Sequence, residues 1–508
     1  MRKYIATITA VLLVLISAIG YNTFESEKAV PAFTPSANPN DPTDLSGYYD
    51  QVLSWENCGG GFECASLSVP LDYADPYKQA ISISVIRLKA TGQSLGSLVL
   101  NPGGPGGSGI EYARAAEFVV TKNLLTNFDI VGFDPRGVGE SSPIECIDDP
   151  TTDEYIALDG TPDDQAEIDA SIDMLTKFGA ECLSNSPDLI NNVDTVSAAK
   201  DIDILRAALG DEKLNWLGKS YGTFLGATYA DLFPQNVGRM LLDGAIDPTL
   251  TNLQLGEGQA RGFEDALARF VADCLTKDDC PLTGNVENGV ATVKKILDDL
   301  DQNPATLDDG RQFTQAMGVL GVVGGLYDVT YGWSSLRPML AFALGGDFNA
   351  LARSVDLYTS RNEDGSYSDN SNDAIMAINC IDRPDRGTPE EAKLLAEQWS
   401  EFAPVFGGYL AWGNIACSYW PVAASGTPKT ITAHGSNPIL VVGTTHDPAT
   451  PYVWAQALAR QLASGALLTL DGDGHTAYMQ GSKCIDEVVD KYFLTGVADD
   501  GIVCADGP

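Results

Sequence analysis

The segment LNWLGKSYGTFLGATYADLF (residues 214–233) combines a strand signal, a glycine-bounded turn and a helix signal in direct succession. Leu214 to Leu217 is a short apolar run typical of a buried strand, and Tyr221 to Phe233 has the apolar spacing of a helix. The turn between them, Gly218-Lys219-Ser220-Tyr221-Gly222, has the form Gly-x-Ser-x-Gly. Glycines here permit a strained turn that exposes the serine hydroxyl, so Ser220 is the candidate nucleophile. The alternative is an ordinary glycine-rich turn between a strand and a helix.

Further strand and helix signals alternate on both sides of this segment. Strands are predicted at 81–88, 98–100, 128–133, 240–242, 439–442 and 467–470, and helices at 196–209 and 453–462. Such alternation predicts an α/β protein with a mostly parallel central sheet. Between residues 248 and 436 amphipathic helical stretches such as 262–275 and 293–300 dominate, so this segment is predicted to form a large helical cap.

A serine hydroxyl needs an imidazole to accept its proton and a carboxylate to orient that imidazole. Of the three histidines, His475 lies in a polar turn directly after the last predicted strand and is the candidate base. Asp447 follows the strand at 439–442 and is the candidate acid. The chain order Ser, Asp, His is typical of the α/β-hydrolase fold, here with the cap inserted before the strand that carries the acid. The alternatives are His434 and His446 for the base, and Asp243 and Asp247 for the acid.

Two further polar segments follow predicted strands. The loop from Asn101 to Gly109 is rich in Gly and Pro, and in this fold it would supply an N–H group to an oxyanion hole. Gly104 (or Gly103) and Tyr221 are the candidate donors, and a phosphate-binding loop is the alternative. Arg136, in the segment from Asp134 to Ser141, is predicted to hold carboxylates or carbonyls beneath the nucleophile turn.

Composition limits the classes of partner and the compartment. The 508 residues carry a formal charge of -38, which disfavours nucleic-acid binding. Ten cysteines fit an oxidising compartment, and pairing in chain order is the simplest of many connectivities. It joins Cys58 to Cys64, Cys146 to Cys182, Cys274 to Cys280, Cys380 to Cys417 and Cys484 to Cys504. A zinc site is disfavoured because there is no CxxC motif and the histidines lack ligand spacing.

The N-terminus is basic and then apolar from Ile5 to Gly20, as in a secretory signal peptide, with an uncleaved membrane anchor as the alternative. The predicted organisation is a signal peptide at 1–29, a flexible linker at 30–46, the first part of the hydrolase core at 47–248, the cap at 249–436 and the second part of the core at 437–508. The protein is therefore expected to be secreted or held at the cell surface, with no membrane span after signal processing.

With these motifs, the chain resembles the secreted tripeptidyl aminopeptidases of actinobacteria, which are α/β-hydrolases related to proline iminopeptidases. The resemblance covers roughly residues 50 to 505 and includes, besides the motifs above, 243–248, 377–382 and 447–451. Proline iminopeptidases typically have His where this chain has Asn101.

The resemblance implies a serine peptidase that releases tripeptides or other short N-terminal peptides through an acyl-enzyme on Ser220, without metal or organic cofactor. Peptides are the expected substrates, and Asp382 is the candidate anchor for the substrate ammonium group. Two alternatives remain: a secreted carboxylesterase or lipase, and a catalytically inactive binding protein on the same fold.

Overall fold

The structure is a computed structural model that describes Asp41 and residues 43–505. The predicted signal peptide and most of the predicted linker lie outside the described residues. Among the described residues the first helix is Ser46–Tyr49, close to the predicted start of the folded core. In the described part of the chain, no helix combines the length and the apolar character that a membrane span requires.

Twelve strands are present among the described residues. They are β1 (Glu56–Asn57), β2 (Phe62–Pro70), β3 (Ala80–Leu88), β4 (Ser97–Asn101), β5 (Asp129–Phe133), β6 (Leu214–Lys219), β7 (Val237–Asp243), β8 (Ala305–Thr306), β9 (Gln312–Phe313), β10 (Ile439–His446), β11 (Gly465–Asp473) and β12 (Ile502–Cys504). Ten of them form one sheet in the order β1-β2-β3-β5-β4-β6-β7-β10-β11-β12, while β8 and β9 form a separate pair. From β5 to β12 all neighbours are parallel, and β1, β2 and β3 join antiparallel at one edge.

This mostly parallel sheet, flanked by helices, confirms the predicted α/β-hydrolase fold. Each predicted strand lies within or against an observed strand, usually with one to four additional residues at its ends. Strands β1, β2, β8, β9 and β12 were not predicted. Strands β1, β8 and β9 have only two residues each. Most of β2 is only partly buried and carries Ser and Glu among its apolar residues, so its apolar pattern is weak. With only three residues at the sheet edge, β12 is too short for a periodic signal.

Helices cover both faces of the sheet, and the helices between 252 and 358, called the cap below, pack against one another. The α-helices after the first are 109–114, 116–119, 122–127, 149–156, 165–185, 195–208, 221–232, 252–274, 286–302, 315–326, 332–344, 349–358, 371–382, 389–399, 407–412, 452–461 and 483–495, with 3₁₀ turns at 234–236 and 413–419. One buried apolar cluster lies on each face of the sheet. A third, centred on Phe270, Leu297 and Leu336, forms the interior of the helices between 252 and 358.

The segment predicted as the cap does not pack as a single body. Helix 371–382 and the 3₁₀ turn 413–419 bury Ala377, Ile381 and Ile415 in the cluster that also covers one sheet face. The helices from 252 to 358 instead bury their side chains against one another. The domain boundaries at residues 248 and 436 stay predictions, because apolar periodicity identifies helices without specifying the surface on which they pack.

The ten cysteines form five disulfides in the structure. Cys58 is joined to Cys64, Cys146 to Cys182, Cys274 to Cys280, Cys380 to Cys417, and Cys484 to Cys504. Each cysteine is therefore paired with its neighbour in chain order. Two pairs close loops of 36 and 37 residues, and these cross-links stabilise the fold by restricting the unfolded chain.

Arg136 lies entirely beneath the protein surface and connects four segments of the core. Its Nε and Nη2 atoms each donate to one carboxylate oxygen of Asp201 at 2.7 Å. The remaining donors reach the carbonyl oxygens of Pro70, Leu71 and Asn192. Both side chains of the ion pair are at most 1% exposed. A planar guanidinium satisfies five acceptors here, and an ammonium group could not reproduce this arrangement.

Candidate active site

Ser220 occupies the tight turn between β6 and helix 221–232. Its backbone has φ of 54° and ψ of -124°, a conformation that costs energy for any residue with a β-carbon. The Ser220 N–H donates to the carbonyl oxygen of Asp243 at 2.9 Å, which ties the turn to the end of neighbouring strand β7. The sequence-predicted candidate nucleophile thus lies at the carboxyl edge of the sheet in a sharply bent turn.

The two glycines of the motif are required by close packing. A β-carbon at Gly218 would lie 2.2 Å from the carbonyl oxygen of Gly222, and one at Gly222 would lie 2.6 Å from Oδ1 of Asn101. Both distances are far below a van der Waals contact. The strand, the helix and the loop after β4 therefore approach one another only because these positions lack side chains.

His475 and Asp447 meet at the same edge of the sheet. Asp447 follows β10 and His475 follows β11, and these two strands are parallel neighbours. The Nδ1 atom of His475 lies 2.9 Å from Oδ1 and 3.0 Å from Oδ2 of Asp447. An ionised carboxylate only accepts hydrogen bonds, so Nδ1 carries the proton and Nε2 is the nitrogen left to accept one.

Several donors hold the Asp447 carboxylate in place. The N–H groups of Ala449 and Thr450 donate to Oδ1 at 2.9 and 2.8 Å, and the Thr476 N–H donates to Oδ2 at 3.1 Å. The Thr450 hydroxyl also donates to Oδ2 at 3.0 Å and lies 3.4 Å from Nδ1 of His475. The carboxylate has no solvent exposure. These bonds fix the carboxylate in an orientation from which it can hold an imidazole.

Sequence analysis assigned no role to Thr450. It lies three residues after Asp447 in the segment Asp447-Pro448-Ala449-Thr450, and a hydroxyl at this spacing often donates to the preceding carboxylate in a turn. That spacing could have indicated the hydrogen bond between Thr450 and Asp447 from the sequence. The additional proximity to His475 depends on the packing of β11 beside β10 and has no local sequence signature.

The structure separates the alternative bases and acids from this arrangement. His434 is exposed, and His446 pairs with Asp265 of helix 252–274 at 2.8 Å. Asp247 accepts hydrogen bonds from Thr249 and Gln461. These three residues thus have surroundings of their own, and among the described carboxylates only Asp447 is hydrogen-bonded to the His475 side chain.

Asp243, the other alternative acid, links the serine turn to the histidine loop. Its carbonyl oxygen accepts from Ser220 N–H, while its carboxylate accepts from the N–H groups of Ala477 and Tyr478 at 2.9 and 3.0 Å. Lys219 Nζ lies 3.7 Å from the same carboxylate and donates to the Tyr478 carbonyl at 2.6 Å. Burial lowers the pKa of Lys219 and raises that of Asp243. This buried pair therefore fixes the position of the loop that carries His475.

The glycine loop after β4 lies directly on the serine turn. A β-carbon at Gly103 would lie 2.9 Å from Cβ of Ser220 and 3.0 Å from the backbone nitrogen of Tyr221. The Gly103 N–H already donates to Oδ1 of Asn101 at 3.1 Å. Of the two predicted glycine donors, Gly104 is therefore the better candidate. Tyr221 is the first residue of its helix, where N–H groups lack intrahelical partners.

Asp382, the predicted ammonium anchor, lies in a buried position behind Tyr221. Its Oδ1 accepts from the Thr195 N–H at 2.8 Å, its Oδ2 accepts from the Thr195 hydroxyl at 2.5 Å, and the residue is only 5% exposed. Burial raises the pKa of Asp382 to about 6. These contacts support a role in joining helix 371–382 to helix 195–208, and the anchoring role stays a prediction.

The cap contacts the histidine loop directly. The His475 N–H donates to the carbonyl oxygen of Tyr327 at 2.8 Å, and the two rings lie edge to face with centroids 5.2 Å apart. Tyr327 follows helix 315–326 of the cap. A cavity of about 280 Å³ lies at this junction and is lined by both residues. Tyr327 thus covers part of His475, whose side chain is 10% exposed.

Comparisons with known proteins agree with this architecture. Residues 403–504 match a family described as TAP-like protein. The serine protease Hip1 of Mycobacterium tuberculosis is 37% identical over 97% of this chain and 95% of its own length. This chain belongs to the TAP-like family of α/β-hydrolases. The resemblance predicted from the sequence motifs is confirmed.

Other TAP-like relatives carry different names. Carboxylesterase B of Mycobacterium tuberculosis is 36% identical over 85% of this chain and 84% of its own length. Tripeptidyl aminopeptidase of Streptomyces coelicolor is 31% identical over 88% of this chain and 84% of its own length. The names of these relatives therefore include a protease, an aminopeptidase and an esterase.

Proposed function

We propose that this protein is an exported serine peptidase that releases tripeptides or other short peptides from the free N-terminus of peptide substrates. The main observation in support is that His475 is hydrogen-bonded to the buried Asp447 carboxylate. The two residues lie at the sheet edge where Ser220 occupies its strained turn. The chain is also 31% identical to a protein named tripeptidyl aminopeptidase.

In the proposed mechanism, the Ser220 hydroxyl oxygen attacks the carbonyl carbon of the scissile amide while Nε2 of His475 accepts the hydroxyl proton. The N–H groups of Gly104 and Tyr221 donate to the oxygen that becomes negative in the tetrahedral intermediate. His475 then returns the proton to the leaving amine as the C–N bond breaks, which leaves an acyl ester on Ser220. A water molecule, deprotonated by His475, hydrolyses this ester and restores the hydroxyl.

Export is supported by the cysteines and the N-terminal pattern. Five disulfides form in the described chain, and such bonds persist in oxidising compartments. The basic and apolar start of the sequence has the pattern of a signal peptide. Together these features support a location outside the cytoplasm.

A matched pair of fluorogenic tripeptide amides tests the exopeptidase assignment. We expect kcat/KM for the substrate with a free α-amine to exceed that for its N-acetylated form by about tenfold or more, because an aminopeptidase binds the ammonium group and acetylation removes its charge. Steady-state rates of the purified protein at neutral pH provide the measurement. Equal rates on both substrates would exclude the aminopeptidase.

The second candidate function is a carboxylesterase, favoured by the 36% identity to a protein named carboxylesterase B. An aryl ester of the same N-acetylated tripeptide separates the two functions. An aryloxide leaves without being protonated, whereas the amine of an amide must receive a proton before it leaves. Hydrolysis of the ester without measurable hydrolysis of the free-amine tripeptide amide would establish the esterase.

Thr450→Val tests whether the Thr450 hydroxyl positions the catalytic acid. We expect kcat to fall about tenfold with little change in KM, because one hydrogen bond to the Asp447 carboxylate is lost while the substrate contacts remain. Thr450→Ser keeps the hydroxyl and should restore most of the rate.

The matched control is Thr469→Val, which removes another buried threonine hydroxyl, located in β11, whose partner is the hydroxyl of Tyr452 at the start of helix 452–461. It should leave kcat unchanged. If Thr450→Val and Thr450→Ser both have wild-type kcat, the hydroxyl has no positioning role.

A further inference from the structure

The cavity beside His475 combines apolar walls with a small number of polar groups. Its walls include Phe118, Val119 and Met479, and Phe118 is 61% exposed. The volume of about 280 Å³ lies just below the usual range for ligand pockets, roughly 300–1,000 Å³. A cavity of this size accommodates one or two residues of a peptide, and His475 lies in its wall.

Asp328 of the cap lies in the wall of this cavity, and the residues before and after it in the chain both contact the histidine loop. The preceding residue, Tyr327, accepts a hydrogen bond from the His475 N–H. The following residue, Val329, packs so close to Gly474 that a β-carbon at Gly474 would lie 3.3 Å from its side chain. The position of Asp328 relative to His475 is therefore fixed by two contacts of the adjacent backbone.

The two charged side chains in the cavity wall, Asp328 and Lys219, differ in how many hydrogen-bond and ion-pair partners they have. Of the eleven residues in its wall, Asp328 is the one carboxylate and Lys219 the one amine. The Lys219 ammonium group is neutralised by Asp243 and bonded to Tyr478 and Thr476. Asp328 accepts from the N–H groups of Tyr331 and Gly332 through Oδ1 alone, and the described residues place no hydrogen-bond donor on its Oδ2.

We propose that Asp328 binds the α-ammonium group of the substrate's N-terminal residue and so determines the preference for free N-termini. This inference rests on the proposed aminopeptidase function and assigns the residue that recognises its substrate. A carboxylate with one unoccupied oxygen in a restricted cavity attracts a primary ammonium group and gains a charge-assisted hydrogen bond. Asp382, by contrast, has both oxygens occupied by Thr195.

Asp328→Asn removes the charge with little change in shape and is the direct test. An asparagine oxygen can still accept from the Tyr331 and Gly332 N–H groups, so the start of helix 332–344 is retained. We expect KM for the free-amine tripeptide amide to rise about tenfold with kcat nearly unchanged, and the rate on the N-acetylated tripeptide to stay at the wild-type value. Asp328→Glu keeps the carboxylate and should keep the preference.

Two further variants complete the design. Asp347→Asn is the matched control, because Asp347 accepts from the Asn349 N–H at the start of helix 349–358 and lies outside the cavity. Its kinetics should equal those of the wild type. Asp328→Ser supplies a second uncharged residue that can cap a helix, so the test remains decisive if the asparagine variant does not fold.

The outcomes separate this inference from the proposed function. Wild-type protein that hydrolyses free and acetylated tripeptides equally would overturn the aminopeptidase proposal and this inference with it. Wild-type preference that persists in Asp328→Asn or Asp328→Ser would overturn the role of Asp328 alone. Loss of preference in Asp382→Asn but not in the Asp328 variants would likewise overturn it and assign the anchor to Asp382.

Discussion

Ser220→Ala is expected to lower kcat on the tripeptide amide by about a millionfold, to the level that binding and oxyanion stabilisation alone provide. Removal of the hydroxyl leaves His475 without a nucleophile to deprotonate, and an ordinary water molecule is poorly placed to substitute for it. The same variant should lose covalent labelling by a fluorophosphonate probe. Steady-state kinetics and labelling of the purified proteins provide the two measurements.

The control for this experiment comes from the histidines. His475→Ala should reduce kcat nearly as far as Ser220→Ala, because the residues of a triad act as a unit. His446→Ala should leave the rate unchanged, although His446 also pairs with an aspartate, since its partner is Asp265 on a cap helix. Labelling of Ser220→Ala at the wild-type level would show that another residue is the nucleophile.

Arg136→Ala is expected to lower the free energy of unfolding by about 3–5 kcal/mol. The substitution leaves the Asp201 carboxylate buried without its counter-charge and removes the donors of three carbonyl groups. Arg136→Lys should recover only part of the loss, because an ammonium group lacks the planar fork that reaches both carboxylate oxygens. Urea unfolding of the oxidised protein measures the change through the transition midpoint at constant slope.

Lys295→Ala provides the comparison with an exposed ion pair. Lys295 contacts Asp299 at 2.7 Å, close to the Arg136–Asp201 distance, but its side chain is 73% exposed. Solvent screens such a pair, so the expected loss is about 0.3–0.5 kcal/mol. Equal midpoints for Arg136→Ala and Lys295→Ala would contradict the stabilising role of the buried pair.

The order of the elements could be read from the sequence because the signals are local. The Gly-x-Ser-x-Gly turn lies between a strand and a helix, and the apolar runs at 98–100, 439–442 and 467–470 each lie within a strand of the sheet. Residues that follow parallel strands meet at one sheet edge. Ser220, Asp447 and His475 each follow a predicted strand, so the sequence already suggested that they lie near one another.

The surroundings of the site could not be derived in this way. Asp243 bonds to Ala477 and Tyr478, more than 230 residues further along the chain, and no local pattern distinguishes it from an orienting acid. Asp382 shows the same limit. Its position in the aminopeptidase-like segment at 377–382 suggested a substrate contact, which stays a prediction, and its hydrogen bonds with Thr195 have no local sequence signature.

The sequence by itself determined the fold class, the succession of strand, turn and helix around Ser220 and the choice of candidate nucleophile, base and acid, because turn geometry and apolar periodicity act over a few residues. Only the tertiary structure decided which cap residues reach His475, which aspartate faces the cavity and which aspartates join parts of the core. These contacts depend on how helices more than 100 residues apart pack together, and packing is set by shape and burial across the whole chain.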